Sequence, residues 1–279
     1  MKVDSHQHFW NFDRMDYTWP TEKEPSIFRN IEPDELKPLI RKAGIDKTVI
    51  VQAKDACEET DYLLELAEQH DWIAGVVGWV PLLNPDEAAV KLEKYKKNKY
   101  FKGVRHLIHE EDDADWIVQD KVIEGLKVLA DFNIPYDFVA IFPKHLKHVN
   151  TIVEKVPNLK IVIDHLAKPP IYEGKFNEQW AQQMAEIAEY PQVYSKVSGL
   201  NTVCANRESW SYKDLEPYIE FAVEKFGANR LMYGSDWPVA NLAGDYLKVW
   251  NETNKAIGKL TAEEKEAILG KTAIEFYNL

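Results

Sequence analysis

Cysteine is scarce: Cys57 and Cys204 are the two in 279 residues. They are too few and too far apart for a disulfide framework, and neither sits in a Cys-x-x-Cys pair. A reducing compartment, the cytoplasm, is the simplest expectation. No run approaches the roughly 20 consecutive apolar residues that span a bilayer. The N-terminal stretch shows neither the basic nor the apolar part of a secretory leader. Positive charge is short as well, with 34 Lys and Arg against 46 Asp and Glu, a formal net charge of −12. A surface of that sign lacks the basic footprint that nucleic acid needs and repels an anionic membrane. It leaves a small-molecule ligand open, because the field inside a pocket can differ in sign from that of the whole.

What is present begins at once. The stretch MKVDSHQHFW puts His6 and His8 one residue apart near the start of the chain. Successive side chains of a strand point to opposite faces, so the two imidazoles share a face, with Asp4 behind them. Such a pair can grip one metal ion or one water, or simply sit on a solvated strand. Seven further short apolar runs follow, at 47–53, 73–82, 101–107, 134–140, 159–166, 193–200 and 230–238. Between them lie amphipathic stretches. In 120–133, Val122, Leu126 and Leu129 recur at helical spacing. Asn84-Pro85 opens another in the cap-then-proline manner. Strands alternating with helices predict parallel βαβ units. Eight of them predict a closed (β/α)₈ TIM barrel, a fold that commonly takes about 250 residues. No repeat, low-complexity segment or linker divides the chain, so residues 1–279 read as a single domain. The irregular, Trp- and Pro-rich segment after strand one reads as a lid over the barrel mouth.

In such a barrel the chemistry sits at the carboxyl ends of the strands. Strand one ends on His6 and His8, strand four on Arg105 and His106, which point to opposite faces. Strand five carries Tyr136 and Asp137, strand six ends on Asp164 and His165, strand seven on Ser198 and strand eight on Ser235 and Asp236. One such group is a hydrogen-bonded strand end. So many at one end of otherwise apolar strands point to a site.

Those residues carry a resemblance. His-x-His on strand one, His on strand six and Asp on strand eight resemble the frame of the amidohydrolase superfamily. The phrases DSHQHFW (4–10), KGVRH (102–106), DHLAKPPI (164–171), KVSGL (196–200) and GSDWP (234–238) resemble its amidohydrolase-related lactonase branch. That branch includes lactonases of L-fucono-, L-rhamnono- and related sugar lactones, and a dicarboxylate lactonase that works without metal. Binuclear members of the superfamily carry a carboxylated Lys or a Glu on strand four and a His on strand five. Here Lys102, the only lysine of strand four, stands at its start, and strand five reads Tyr-Asp-Phe. The resemblance therefore implies at most one divalent metal ion, Zn²⁺, on His6, His8, His165 and Asp236. The alternative is no metal, with a water held by the same four residues.

The residue types suit ester hydrolysis, which needs a base for water and positive charge where the carbonyl oxygen turns anionic. Asp236 resembles the strand-eight Asp that serves as base in the superfamily. Positive charge comes from a metal, from Arg105 or from His165. Arg105 can instead grip an oxygen-rich substrate, or pair with the acidic loop that follows it. Tyr136 offers a hydrogen bond to a sugar hydroxyl, or belongs to the core. Trp10, Trp19 and Trp237 offer stacking faces for a sugar ring, or pack. Lys168 meets substrate or shapes its turn, and the roles of His106 and His109 stay open. The acidic run 109–115 reads as a solvated loop, and His145 and His148 as rim or surface residues. The expectation is a lactonase that opens an aldonolactone to its free acid. A metal-dependent decarboxylase of the same superfamily and a non-catalytic metabolite-binding barrel are the alternatives. Retention of Asp236 speaks against the last, since binding needs no base.

Overall fold

The computed structural model describes residues 1–279. Eight strands form one parallel sheet in chain order: β1 (Val3–Gln7), β2 (Lys47–Val51), β3 (Ile73–Gly78), β4 (Phe101–His106), β5 (Tyr136–Phe138), β6 (Ile161–Ile163), β7 (Val193–Val197) and β8 (Leu231–Tyr233). The ring closes just past the ends of β1 and β8. The His8 N–H donates to Trp237 O at 2.7 Å and the Asp236 N–H to His6 O at 2.8 Å. The expected (β/α)₈ barrel is thus the fold. Around it run α1 (Pro33–Ala43), α2 (Cys57–Gln69), α3 (Pro85–Tyr95), α4 (Asp120–Asp131), α5 (His148–Lys155), α6 (Glu178–Ala188), α7 (Tyr212–Phe226) and α8 (Tyr246–Ala256), followed by α9 (Ala262–Glu266) and α10 (Thr272–Tyr277). No helix is long and apolar enough to cross a membrane. Asn84 caps α3, its side chain accepting from the Glu87 N–H, with Pro85 in the first turn, as its sequence predicts.

Strand alternation sorts the apolar residues into two cores. Val76, Val104, Tyr136, Ile161 and Leu231 belong to the large cluster between strands and helices. Val3, Val49, Val51, Val77, Val162 and Met232 belong to a smaller one, completed by Ala273, Phe276 and Tyr277 of α10. The C-terminal helix therefore packs onto residues that fill the barrel's interior. Strands β5, β6 and β8 have three residues each, shorter than the apolar runs that announce them. On β6 the cause is local. Residues His165 to Lys168 all take left-handed φ values, between 49° and 59°, and no strand continues through that conformation.

The segment between β1 and α1 has no regular structure beyond one bridge, Trp10 to Ile31. It folds over the carboxyl end of the barrel, as expected of a lid. Beside it, Glu59 of α2 is fully buried. One oxygen accepts the Ala53 and Lys54 N–H groups at 2.9 and 2.8 Å, while the other has no hydrogen-bond partner. Burial pushes this carboxyl up to about 8. A group whose folded-state pKa lies above its unfolded value holds its proton better in the fold. Its contribution therefore falls as pH rises from the ordinary carboxylate range through about 8. Relative to Glu59→Gln, the wild type is expected to lose on the order of 2 kcal/mol of stability between pH 6 and pH 8. Urea unfolding at the two pH values checks this, and parallel behaviour of the two proteins would contradict it.

Candidate active site at the carboxyl end of the barrel

His6, His8, His165 and Asp236 meet at one point. The His6 and His8 Nε2 atoms are 3.1 Å apart. Asp236 Oδ1 lies 3.7 Å from His6 Nε2, 3.4 Å from His8 Nε2 and 3.9 Å from His165 Nε2. His6, His165 and Asp236 each offer a ligand atom within 4.8 Å of the other two. His8, the fourth expected ligand, lies against His6 and Asp236 but outside that mutual set. Ligands about 2.1 Å from a tetrahedral ion lie about 3.4 Å from one another, so the donor set fits one divalent ion.

The second ring nitrogens are occupied too. His8 Nδ1 is 2.7 Å from Val51 O, His165 Nδ1 is 2.8 Å from Ser198 Oγ, and His6 Nδ1 is 3.1 Å from Lys196 Nζ, with Asp164 Oδ1 at 3.3 Å. Such outer contacts fix ring orientation at metal sites. Burial lowers all three imidazoles, His165 to about 4, so each is the neutral form a metal ligand requires. Burial opposes ionisation of Asp236 as well. The neighbouring rings of His165, His8 and His6 outweigh it and hold that carboxyl well below its usual range.

Two left-handed residues build this convergence. His165 has φ 56° and Asp236 φ 58°, conformations that cost about 1–3 kcal/mol each in non-glycine residues and collect at functional sites. The turn at His165 lets Asp164 and His165, although adjacent in sequence, both reach the site, with Asp164 beneath His6. Gly199, itself at φ 62°, supplies the room. A Cβ there would lie 2.8 Å from both Asp236 Oδ2 and His165 Nδ1.

A cavity of about 550 Å³ opens above. Arg105, His165, Lys168, Asp236, Trp10 and Trp19 line it, as the sequence suggests, and so do His8 and His109. The lid adds Lys23 and Glu24 and the loop after β7 adds Arg207, none of which carries a signal in the sequence. Arg105 does not pair with the acidic loop. Its Nη1 is 3.1 Å from Asp164 Oδ2, its Nη2 donates to Gln52 O, and its buried Nε–H has no partner.

Several expectations are corrected. Tyr136 does not reach the cavity: alternation on β5 turns Asp137 inward and leaves Tyr136 in the helix-facing core. Trp237 is likewise buried, packed edge-on against Phe9 at 5.9 Å, and does not line the cavity. His106, by contrast, points away from Arg105 as the alternation along β4 predicts, and stacks on Trp116 at 3.9 Å. His145 and His148 are buried rather than at the surface, because α5 packs on the turn at 116–118; His148 Nε2 meets Ala114 O at 3.1 Å. The run 109–115 is mostly exposed, but its first residues, His109 and Glu110, face the cavity. Neither cysteine lines the cavity, and both are free thiols.

Sequence reasoning missed one group altogether. Lys196 of β7 is fully buried, 2.5 Å from Asp137 Oδ2 and 3.1 Å from Asp164 Oδ1. The Tyr277 hydroxyl of α10 donates to Asp137 from below. The signal was the alternation Tyr194-Lys196-Ser198, which puts the lysine on the same inward face as Ser198.

A closed parallel barrel with imidazoles and a buried carboxylate converging at its carboxyl end, beneath a polar cavity, is the arrangement of a barrel hydrolase. Residues 3–279 match the family model described as amidohydrolase, and the chain belongs to that family. It is 38% identical over 249 residues to an L-fucono-1,5-lactonase of Burkholderia ambifaria, covering 88% of this chain and 83% of that one. It is 34% identical over 288 residues to an L-fucono-1,5-lactonase of Burkholderia multivorans, covering 100% and 96%. A crystal structure of a Burkholderia multivorans amidohydrolase with bound zinc superposes with a TM-score of 0.92 at 31% identity, covering 100% of this chain and 99% of that one.

Proposed function

We propose that this chain is a lactonase that opens a sugar lactone, of the aldonolactone class its relatives are named for, to the free aldonic acid. The observation that carries this reading is Asp236. It is an ionised carboxylate at the floor of a cavity, with neutral imidazoles around it and the Arg105 side chain on the same cavity wall. Water held against Asp236 gives it a proton and forms the new bond to the lactone carbonyl carbon. The Arg105 guanidinium supplies positive charge near the oxygen that becomes anionic. When the bond from the acyl carbon to the ring oxygen breaks, Asp236 returns its proton to that oxygen. His6, His165 and Asp236, with His8 beside them, are the residues that would hold one divalent ion, which we infer to be Zn²⁺. A bound ion supplies Lewis acidity and lowers the pKa of water. One ion rather than two suits these residues, because Asp137 is held by Lys196 and Tyr277 and the strand-four residue lining the cavity is Arg105. Trp10 and Trp19 present apolar faces, and Lys168 and Arg207 polar ones, to a hydroxylated ring. The free thiols Cys57 and Cys204 suit a reducing compartment such as the cytoplasm.

Lactone opening releases acid, so a pH-indicator screen over aldonolactones tests the reading, run on metal-stripped and zinc-loaded protein. Acid release from none of them in either form would refute it. Arg105→Met separates two uses of the guanidinium. If it stabilises the oxyanion, its loss is expected to lower kcat about 10²–10³-fold. A rise in KM at unchanged kcat would instead assign Arg105 to uniform substrate binding.

A further inference from the structure

Beneath the site lies a buried cluster that the lactonase reading does not use. The Lys196 ammonium hydrogen-bonds to Asp137 Oδ2 at 2.5 Å and to His6 Nδ1 at 3.1 Å, and it lies 3.1 Å from Asp164 Oδ1, an oxygen that has no hydrogen-bond partner of its own. Charge balances within this cluster, where Lys196 and Arg105 face Asp137 and Asp164. Tyr277 holds Asp137 through both oxygens, at 2.9 and 2.7 Å.

The hydrogen bonds determine one another. Val51 O accepts only, so His8 carries its hydrogen on Nδ1. His8 Nε2 is then an acceptor, and the His6 Nε2 atom 3.1 Å away must be the donor. His6 Nδ1 is left with a lone pair, and the donor facing it is Lys196. In this pattern His6 cannot lend Nε2 to a cation. A second pattern can. One hydrogen moves from Nε2 to Nδ1 of the neutral ring and is donated to Asp164 Oδ1, 3.3 Å away. The Lys196 hydrogen released by His6 then turns toward the ring of Tyr277, whose centroid is 5.6 Å from Nζ. No group gains or loses charge.

We propose that Lys196 is a positioning residue that sets which nitrogen of His6 carries the hydrogen, and so governs whether His6 can offer Nε2 to a cation. Its cation half rests on the metal assignment above; its tautomer half does not. Two measurements test the halves separately. The first is the long-range ¹⁵N–¹H spectrum of metal-free wild-type protein, with His6 assigned from His6→Gln. His6 is expected as the Nε2–H tautomer, and finding it as Nδ1–H overturns the proposal without any variant having to fold. The second uses Lys196→Met/Asp137→Asn. This pair keeps the buried charge balanced, and the new amide still presents an oxygen to Tyr277. In metal-free form its His6 is expected as Nδ1–H, and calorimetric titration with zinc chloride is expected to show binding about tenfold tighter than wild type, opposite in sign to the usual loss when a ligand's outer contact is removed and about as large as the smaller of those losses. A merely structural Lys196 predicts the reverse, because loosening the floor weakens a metal site. Equal or weaker zinc binding with an unchanged tautomer therefore overturns the proposal. The expected tautomer shift in a protein whose wild type binds no zinc would support the role of Lys196 while removing the metal from the lactonase reading.

Discussion

Asp236→Asn is expected to reduce kcat by about 10²–10⁴, the usual size of a lost general base, with the fold intact. The amide has the carboxylate's shape but cannot take a proton from water. Fold retention follows from the backbone. Asp236 stands at φ 58°, a left-handed position that Asn accepts as readily as Asp. Thermal unfolding should therefore barely move while turnover collapses. Zinc affinity should fall as well, since a neutral amide is the poorer ligand of a divalent ion. Steady-state kinetics on the best lactone, beside a melting curve and zinc titration, reads all three. A variant that turns over at near wild-type kcat would mean that another group activates the water, and His165, 3.9 Å from Asp236, would be the first to examine.

The second large effect is expected at a residue with no functional group. Gly199→Ala places a methyl 2.8 Å from Asp236 Oδ2 and from His165 Nδ1, closer than any van der Waals contact allows. Both residues are held by their own left-handed turns, so neither has a soft direction in which to move. The alanine also inherits φ 62°, which costs about 1–2 kcal/mol in a residue with a Cβ. Misplacing catalytic groups by about 1 Å costs roughly 10²-fold, and a drop of that order in kcat/KM is expected with only modest loss of stability. Enzyme assay and urea unfolding on the same sample distinguish the two. Unchanged activity would show that Asp236 and His165 have freedom that the packing around Gly199 denies them.

The eightfold alternation of β-branched runs with amphipathic stretches determined the barrel by itself. Each run is local, its polarity is legible, and eight parallel units have few ways to bury both faces. The same rule located the site in outline, because strand ends at one pole of a barrel must meet, and His6, His8, His165 and Asp236 do. Period-two alternation also assigned His106 and Arg105 to opposite faces correctly. It reached its limit where the chain leaves the strand. Nothing in the letters Asp164-His165 announces a left-handed turn that brings both to the site, and nothing in Gly199 announces which side chains crowd it. Tyr136 goes to the core and not to the ligand that its polar end suggests, because the pleat of β5 turns its neighbour Asp137 inward. The cluster of Lys196, Asp137, Asp164 and Tyr277 joins residues up to 140 positions apart. A buried lysine is tolerable only when carboxylates from other strands surround it, and that condition exists only once the barrel has closed and α10 has packed beneath it.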